Sequence, residues 1–340
     1  FFYFYDDFEG SGFEQSAGAT TFAETSRSRI ENTAWAVFGQ GTYDLSDALK
    51  LTVGLRYSDD QKEAVVSRVT GGVVEPFPAF DLEDDHLSWD VALSWFFDDS
   101  NQVYAKAASG FRAPTIQDRL VDDPDVSTAD SETILSFEIG YKALWERTRL
   151  NTAIYYYEVD DMQLTAVGGA DNSTRLLNAD AGIGYGAELE IEYLATDNLV
   201  FTGGFGYTKT EIEDLGLAVA PCGSGLCTVL DPLDAFGGAL IDGNPFQHAP
   251  EWTANFEISY TYPLSSNSEL YAFTDWKFKG ETNDFLYESI EYVFDTQFEG
   301  GLRLGYRNTA NRFEIGLFGR NITDEDNVIG GIDFANLLAY

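Results

Sequence analysis

The amino-acid sequence predicts an all-β fold, an antiparallel transmembrane β-barrel, and three observations support this prediction. Apolar and polar residues alternate with a period of two, so that each stretch has one apolar and one polar face. Many stretches run about ten residues or more, the length of a tilted strand that crosses a bilayer, whereas soluble strands usually have about five or six. Short and long connections alternate along the chain, as they do at the two rims of such a barrel.

The alternation is clearest between Ile183 and Tyr193, where every second residue from Gly184 to Glu192 is a glycine or a glutamate. Successive side chains of a strand point to opposite faces of its sheet. We therefore expect a lipid-facing set that includes Leu51, Val53, Leu55, Leu135, Phe137 and Ile139, and a lumen-facing set that includes Arg56, Glu138, Glu188 and Glu190. About thirteen strands are predicted, at residues 1–5, 30–43, 49–65, 85–97, 102–112, 132–145, 148–164, 178–195, 199–213, 249–262, 269–284, 294–307 and 313–322, with 332–340 as a candidate fourteenth.

The connections between these strands fall into two classes. Short turns are predicted at 44–48, 98–101, 146–147, 196–198, 263–268 and 308–312, and long polar connections at 6–29, 67–84, 113–131, 165–177 and 214–248. A soluble β-sandwich explains the alternation but has no reason to alternate its connection lengths. The rhythm therefore favours the barrel, and a soluble β-sandwich binding module is kept as an alternative.

Composition limits the function further. The chain has 26 Phe, 19 Tyr and 32 Gly among its 340 residues, which is typical of β-sheet proteins. A net charge of −37 opposes contact with phosphate backbones, so we expect no nucleic-acid partner. No apolar run approaches the roughly 20 residues of a transmembrane helix, so strands are expected to cross the membrane.

One predicted strand ends abruptly on Gly110, Phe111, Arg112, Ala113 and Pro114. Gly110 lets the backbone bend or a neighbour approach closely, and Pro114 cannot donate to a strand ladder and keeps the residue before it extended. The corner therefore predicts a clean end to the strand at the membrane edge. Arg112 either pairs with nearby carboxylates or faces a ligand at the inner rim.

The sequence contains no constellation that indicates catalysis. His86 and His248 stand far apart, and neither a zinc motif nor a nucleophile motif is present. We predict no catalytic residue, no bound metal, no cofactor and no enzyme activity. Cys222 and Cys227 lie in the longest loop without a further ligand, and they are predicted to form a disulfide.

Four stretches resemble the barrel of TonB-dependent outer-membrane receptors. They are YAKAASGFRAP at 104–114, the strand–turn–strand at 33–60 that contains Gly-Leu-Arg-Tyr, GAELEIEYLATDNL at 186–199 and GLFGRNITDEDN at 316–327. The last stretch departs in detail from the ending that the family has before its final strand. The matches are spread over nearly the whole chain, and their order and spacing carry the resemblance.

The resemblance implies the C-terminal part of a receptor barrel over residues 1–340, in a bacterial outer membrane with lipid and lipopolysaccharide around it. It implies active uptake of a scarce, bulky small-molecule or glycan ligand, energised through the TonB complex. A ferric siderophore is the first candidate, followed by cobalamin, haem and an oligosaccharide. The acidic loops would repel anionic ferric complexes unless arginines such as Arg112, Arg175 or Arg303 cluster inside, so these three are the candidate ligand-binding residues.

The family's N-terminal plug domain, which contacts TonB, has no counterpart in this sequence. We expect the gene to encode a signal peptide, a plug and about eight strands before Phe1, with at least one strand after Tyr340 unless 332–340 is that strand, because plugged transporter barrels have roughly twenty-two strands. The alternative is a complete fourteen-stranded barrel that acts as a passive, porin-like diffusion channel.

Overall fold

The computed structural model describes residues 2–11, 24–70, 72–117, 125–169, 173–331 and 333. These residues form strands, turns and one short 3-10 helix, η1 (Ile290–Tyr292). None of the described helical residues forms a segment long and apolar enough to span a membrane.

Twenty strands follow one another in the described chain. In order they are β1 (Phe2–Ser11), β2 (Glu24–Ser46), β3 (Leu49–Thr70), β4 (Val73–Pro76), β5 (Phe80–Asp98), β6 (Asn101–Arg112), β7 (Thr115–Gln117), β8 (Ser127–Ala129), β9 (Glu132–Leu144), β10 (Thr148–Gly168), β11 (Ser173–Thr196), β12 (Leu199–Glu213), β13 (Ala218–Val219), β14 (Ala239–Leu240), β15 (Trp252–Ser265), β16 (Ser268–Lys279), β17 (Thr282–Asn283), β18 (Val293–Phe294), β19 (Gln297–Asn308) and β20 (Phe313–Gly319).

Thirteen of these strands form one antiparallel sheet in which every strand pairs with the next in chain order, β1-β2-β3-β5-β6-β9-β10-β11-β12-β15-β16-β19-β20, and β4 adds to β3. All thirteen predicted strands are confirmed. The candidate fourteenth lies outside the described residues, except for Asp333, which is not in a strand. β1 and β20 have no second partner in the described sheet, which is therefore an open portion of a barrel. The soluble β-sandwich alternative is wrong.

The connections alternate as predicted. Short turns follow β2, β5, β9, β11, β15 and β19 at one end of the sheet, the short-turn end, and the longer connections lie at the other, the long-loop end. Several long connections are shorter than predicted, because pairing continues past the apolar stretch. β10 runs to Gly168 and β11 begins at Ser173, so the predicted loop 165–177 is mostly strand. Backbone N–H and C=O groups form hydrogen bonds between paired strands whatever the side chains are. The hairpins therefore extend beyond the length that crosses a bilayer.

The register separates two faces across the whole sheet. Phe137 pairs with Ala107, Ala107 with Val91, and Val91 with Val53, so these residues share one face. Their neighbours, such as Glu138 opposite Lys106, lie on the other face. We call these the apolar face and the polar face. The predicted grouping is confirmed: Leu51, Val53, Leu55, Leu135, Phe137 and Ile139 lie on the apolar face, and Arg56, Glu138, Glu188 and Glu190 on the polar face.

Tyrosines of the polar face lie flat against the sheet. A Cβ on Gly140 would clash with the ring of Tyr104, and one on Gly184 would clash with the ring of Tyr157. Each glycine therefore provides the space that a ring on the neighbouring strand occupies. The Tyr104 hydroxyl donates to Glu138 at 2.6 Å, which fixes that ring against the wall.

Candidate functional site

Two long connections, residues 214–251 and 280–296, pack together against the ends of β10 and β11 at the long-loop end. We call this unit the loop cap. Backbone hydrogen bonds join its two parts, from Leu230 N to the Glu288 carbonyl at 2.9 Å and from Ile290 N to the Thr228 carbonyl at 3.1 Å. The cap has its own apolar core, formed by Leu164, Ala179, Ile212, Val219, Cys222, Ala239, Ile241, Phe285, Leu286 and Tyr287.

A local change of backbone conformation in β10 turns two of its side chains towards this core. Asp161 has φ of 52°, in the left-handed region that non-glycine residues seldom adopt. Before it, even-numbered residues such as Ile154 and Tyr156 lie on the apolar face. Beyond it, Leu164 is buried in the cap core and Met162 packs against that core.

The cap is fastened to the tip of the β10–β11 hairpin. Gly169 N donates to the Pro221 carbonyl at 2.7 Å, and the carbonyl of Ala220 occupies the space that a Cβ on Gly168 would need. Cys222 and Cys227 form a disulfide in this segment, with a Cα–Cα distance of 6.3 Å, as predicted. The disulfide closes a small ring directly beside the hairpin tip.

Buried polar groups hold the two parts of the cap in register. Asp231 accepts hydrogen bonds from Glu288 N at 2.7 Å and from Asn244 Nδ2 at 3.1 Å, and Asn244 also donates to the Leu286 carbonyl. Burial raises the pKa of the Asp231 carboxyl, although these two hydrogen bonds oppose the shift. By contrast, the hydrogen bond from Thr228 N lowers the pKa of the exposed Glu291.

The aromatic side chains of segment 285–294 lie largely inside the cap. Phe285, Tyr287 and Phe294 are buried. Phe285 stacks on Tyr287 at 5.2 Å and contacts Tyr292 edge-on at 4.7 Å. Burial also raises the pKa of the Tyr287 hydroxyl. These rings form the core of the cap, so they have no free face for a ligand.

The Gly-Phe-Arg-Ala-Pro corner ends β6 as predicted, and a distant glutamine holds it in place. The buried Gln163 of β10 donates through Nε2 to the carbonyls of Ala113 at 2.9 Å and Asp130 at 2.8 Å. These two carbonyls stand at the two ends of the connection that leaves the sheet after β6. Pro114 is buried, and the chain continues directly into the β7–β8 hairpin.

The three candidate arginines do not cluster. They lie on β6, β11 and β19, which are not neighbours in the sheet. Arg112 pairs with Glu132 at 3.4 Å, and Arg303 pairs with Glu314 at 2.5 Å. Arg175 is exposed on β11, opposite Ala166. The condition under which these loops would accept an anionic ferric complex is therefore not met by these three residues.

Sequence reasoning missed Gln163 and the polar-face residues next to the corner. Asn32 and Lys62 pair directly across β2 and β3, and Lys62 Nζ lies 3.4 Å from Thr115 Oγ1 just past the corner. The signal for them was available, because the alternation that defines β2 and β3 continues through both residues. In the part of the chain that the structure covers, no three His, Cys, Asp or Glu residues are placed to hold a metal ion.

Comparison with known proteins agrees with this geometry. The family model described as TonB dependent receptor-like, beta-barrel matches residues 1–322. Among solved structures, the chain is similar to the ferric yersiniabactin uptake receptor FyuA from Yersinia pestis, with 17% identity over 88% of this chain and 42% of that one and a TM-score of 0.70. It is also similar to the ferric-catecholate import receptor Fiu from E. coli K12, with 14% identity over 91% and 42% and a TM-score of 0.62.

A third similar structure is the copper transporter OprC, with 14% identity, a TM-score of 0.66 and coverage of 96% of this chain and 56% of that one. The chain thus spans between two fifths and three fifths of the length of these three proteins. At these identities the structures show a shared fold.

A continuous apolar face, a polar face and connections that alternate in length define the class of outer-membrane β-barrels. Within that class, the chain belongs to the TonB-dependent receptor family and forms a portion of its barrel. In such a barrel the apolar face meets lipid and the polar face lines the lumen. The family is one of receptors and transporters rather than a class of enzymes.

Proposed function

We propose that this chain is the barrel wall of an outer-membrane receptor that imports a scarce, bulky nutrient with energy delivered through TonB. The proposal rests on the family match over residues 1–322, together with a polar face that carries many charged side chains. A ferric siderophore is the first candidate ligand, since solved relatives include two ferric-complex receptors. Cobalamin, haem and an oligosaccharide remain alternatives, and OprC adds copper to the ligands of proteins with this fold.

The proposal includes a plug domain inside the barrel, because TonB reaches such receptors through the plug. The polar face supports this arrangement. Glu188, Glu190 and Glu192 follow one another on this face of β11, and tyrosines lie flat over glycines on the neighbouring strands. A wall of low relief with exposed carboxylates fits a folded polypeptide that carries arginines and lysines. Lipid and lipopolysaccharide would surround the apolar face.

The competing function is passive diffusion through an unplugged barrel. The loop cap argues against a wide passive pore, because it is a packed unit with a buried core at one end of the barrel. A diffusion channel gains nothing from a core of this kind at its mouth, whereas a receptor needs a shaped surface for its ligand.

Uptake in the native host distinguishes the two functions. Cells that carry the full receptor are grown under iron limitation or on glycans as the carbon source, with and without a functional TonB system. We expect growth or accumulation of the ligand to require both the receptor and TonB. Uptake that persists unchanged after loss of TonB would contradict the proposal and favour the channel.

A further inference from the structure

The chain that follows β20 passes along the end of β19 and reaches the loop cap. We call residues 321–331, together with Asp333, the strap. Four hydrogen bonds of 2.9–3.1 Å fasten its first part to β19, between Ile322 and Gly300, Thr323 and Phe298, Asn327 and Glu299, and Val328 and Gln297. The strap is therefore fixed to the barrel wall before it reaches the cap.

The strap then contacts both parts of the loop cap. Gly331 N donates a hydrogen bond to Asp284 Oδ2 at 2.8 Å, in the part of the cap that precedes β19. Two positions further on, Asp333 Oδ2 accepts a hydrogen bond from Ser224 N at 3.0 Å, in the other part of the cap. Ser224 lies inside the ring that the disulfide closes. The strap thus lies across the seam between the two parts, with one anchor on each side.

The anchor at Asp284 also fits the cap closely. The Asp284 carboxylate is buried, and a buried carboxylate is costly unless it accepts hydrogen bonds. Gly331 N supplies one at 2.8 Å, whereas His248 Nε2 lies 3.5 Å from the other oxygen. A Cβ on Gly331 would lie 3.2 Å from Asp284 Oδ2 and from the Tyr292 ring, but a Cβ on Gly330 would meet nothing within 4 Å. The contact therefore depends on position 331 and not on its neighbour.

The spacing of the two anchors limits how far the parts of the cap can separate. Gly331 and Asp333 are two residues apart, and two residues of extended chain span at most about 7 Å. While both anchors hold, Asp284 and Ser224 are linked by this short tether. The backbone hydrogen bonds that cross the seam, from Leu230 N and from Ile290 N, are thus reinforced by a third segment of the chain.

We propose that the strap is a latch on the loop cap, and that the two parts of the cap separate only after the strap has released Asp284 or Ser224. Separation along this seam opens the cap at the long-loop end of the barrel. The latch is a conformational device of the cap, and it goes beyond the proposed import function.

Hydrogen exchange on the full receptor in detergent tests the order of these events. If release of the strap must come first, the seam is open no more often than the strap is released. The amides of Leu230 and Ile290 are the seam reporters, and those of Gly331 and Ser224 are the anchor reporters. When closing is faster than chemical exchange, we expect both seam reporters to be at least as protected as the less protected anchor reporter.

Two variants weaken the anchors, and each has a matched control on the strap. Gly331→Val is compared with Gly330→Val, because only position 331 is closely packed. Asp333→Ala is compared with Asp326→Ala, which removes an exposed carboxylate from the same segment. Thermal unfolding verifies that each variant is folded. We expect both anchor variants to accelerate exchange at the seam reporters about fivefold or more, and the two controls to leave it unchanged.

Two results would overturn the latch. One is a pair of seam reporters that are less protected than both anchor reporters, since the seam would then open while the strap is closed. The other is exchange at the seam reporters that neither anchor variant changes, or that the controls accelerate equally. None of these measurements involves TonB, so failure of the latch leaves the proposed function standing.

Discussion

Replacing Gln163 by methionine should loosen the corner after β6 without unfolding the sheet. The change removes two hydrogen bonds, to the carbonyls of Ala113 and Asp130. The Asp130 carbonyl keeps a second donor, Asn178 Nδ2 at 3.0 Å, so only the Ala113 carbonyl is left unsatisfied. One buried unsatisfied group costs about 1–3 kcal/mol. Gln163 Oε1 is buried without a partner in the described structure, so its removal offsets part of this cost.

The net destabilisation of the corner is therefore about 1–2 kcal/mol, or a factor of about 5–30 in the local opening equilibrium. Native-state hydrogen exchange measures this at the amides of Ile116 and Thr128, which pair in the β7–β8 hairpin. Exchange there should accelerate by that factor, and exchange in the middle of β9 should not change. Gln102→Met, on β6 itself, is the control. Equal exchange in wild type and Gln163→Met would refute the reasoning, and so would the same acceleration in Gln102→Met.

Three further predictions concern the faces and the loop cap. Phe137→Arg places a charge on the apolar face and should cost about 2–4 kcal/mol of unfolding free energy in lipid, whereas Glu138→Arg on the polar face should cost much less; equal costs would contradict the register. Reducing the Cys222–Cys227 disulfide should add two hydrogens to the intact mass. Because the closed ring is small, the loss should destabilise the cap locally by about 2 kcal/mol and leave the unfolding midpoint of the barrel the same. Two thiols that alkylate without reductant would refute the bond. Burial raises the pKa of Asp231 in the folded protein, so the contribution of this carboxyl to cap stability is greatest below its unfolded pKa and is lost as pH rises through its folded pKa. Hydrogen exchange at amides of the cap, corrected for intrinsic rates, should therefore slow on acidification. The variant Asp231→Asn should flatten this pH dependence.

The sequence predicts the strands and their faces correctly where one face is apolar and the other is polar. Between Ile183 and Tyr193 the alternation specifies the face of each residue, since a shift by one residue would turn every apolar side chain to the wrong side. The sequence does not predict where the long hairpins end, because the regular alternation is lost there. At the start of β5, Phe80 and Leu82 alternate with Asp81 and Glu83, but in the opposite phase to Leu87 and Trp89. The alternation therefore does not mark where β5 begins, and only pairing with β3 defines it.

The corner after β6 was likewise predicted only in part. Pro114 marks the end of a strand through its own chemistry, so its role was predictable from a few residues. Its anchor, Gln163, is about fifty positions away, and nothing in the sequence near either residue reveals the contact. The ion pairs of the candidate arginines could not be predicted for a related reason. A residue type and a predicted face say what a side chain can bind, but they do not reveal that Glu132 and Glu314, on the neighbouring strands, form ion pairs with two of the three arginines.

The distribution of charge in the loop cap argues against an anionic ligand. No lysine or arginine occurs between Thr210 and Trp276, nor between Gly280 and Leu302, so the loop cap carries carboxylates without a lysine or arginine. Such a surface produces a negative potential over the barrel mouth that extends about one Debye length, roughly 8 Å at physiological salt. A polyanionic complex loses free energy on approach, and paired arginines such as Arg112 do not offset this cost. A neutral ligand crosses the same region without this cost. The potential at the mouth therefore selects against anionic ligands.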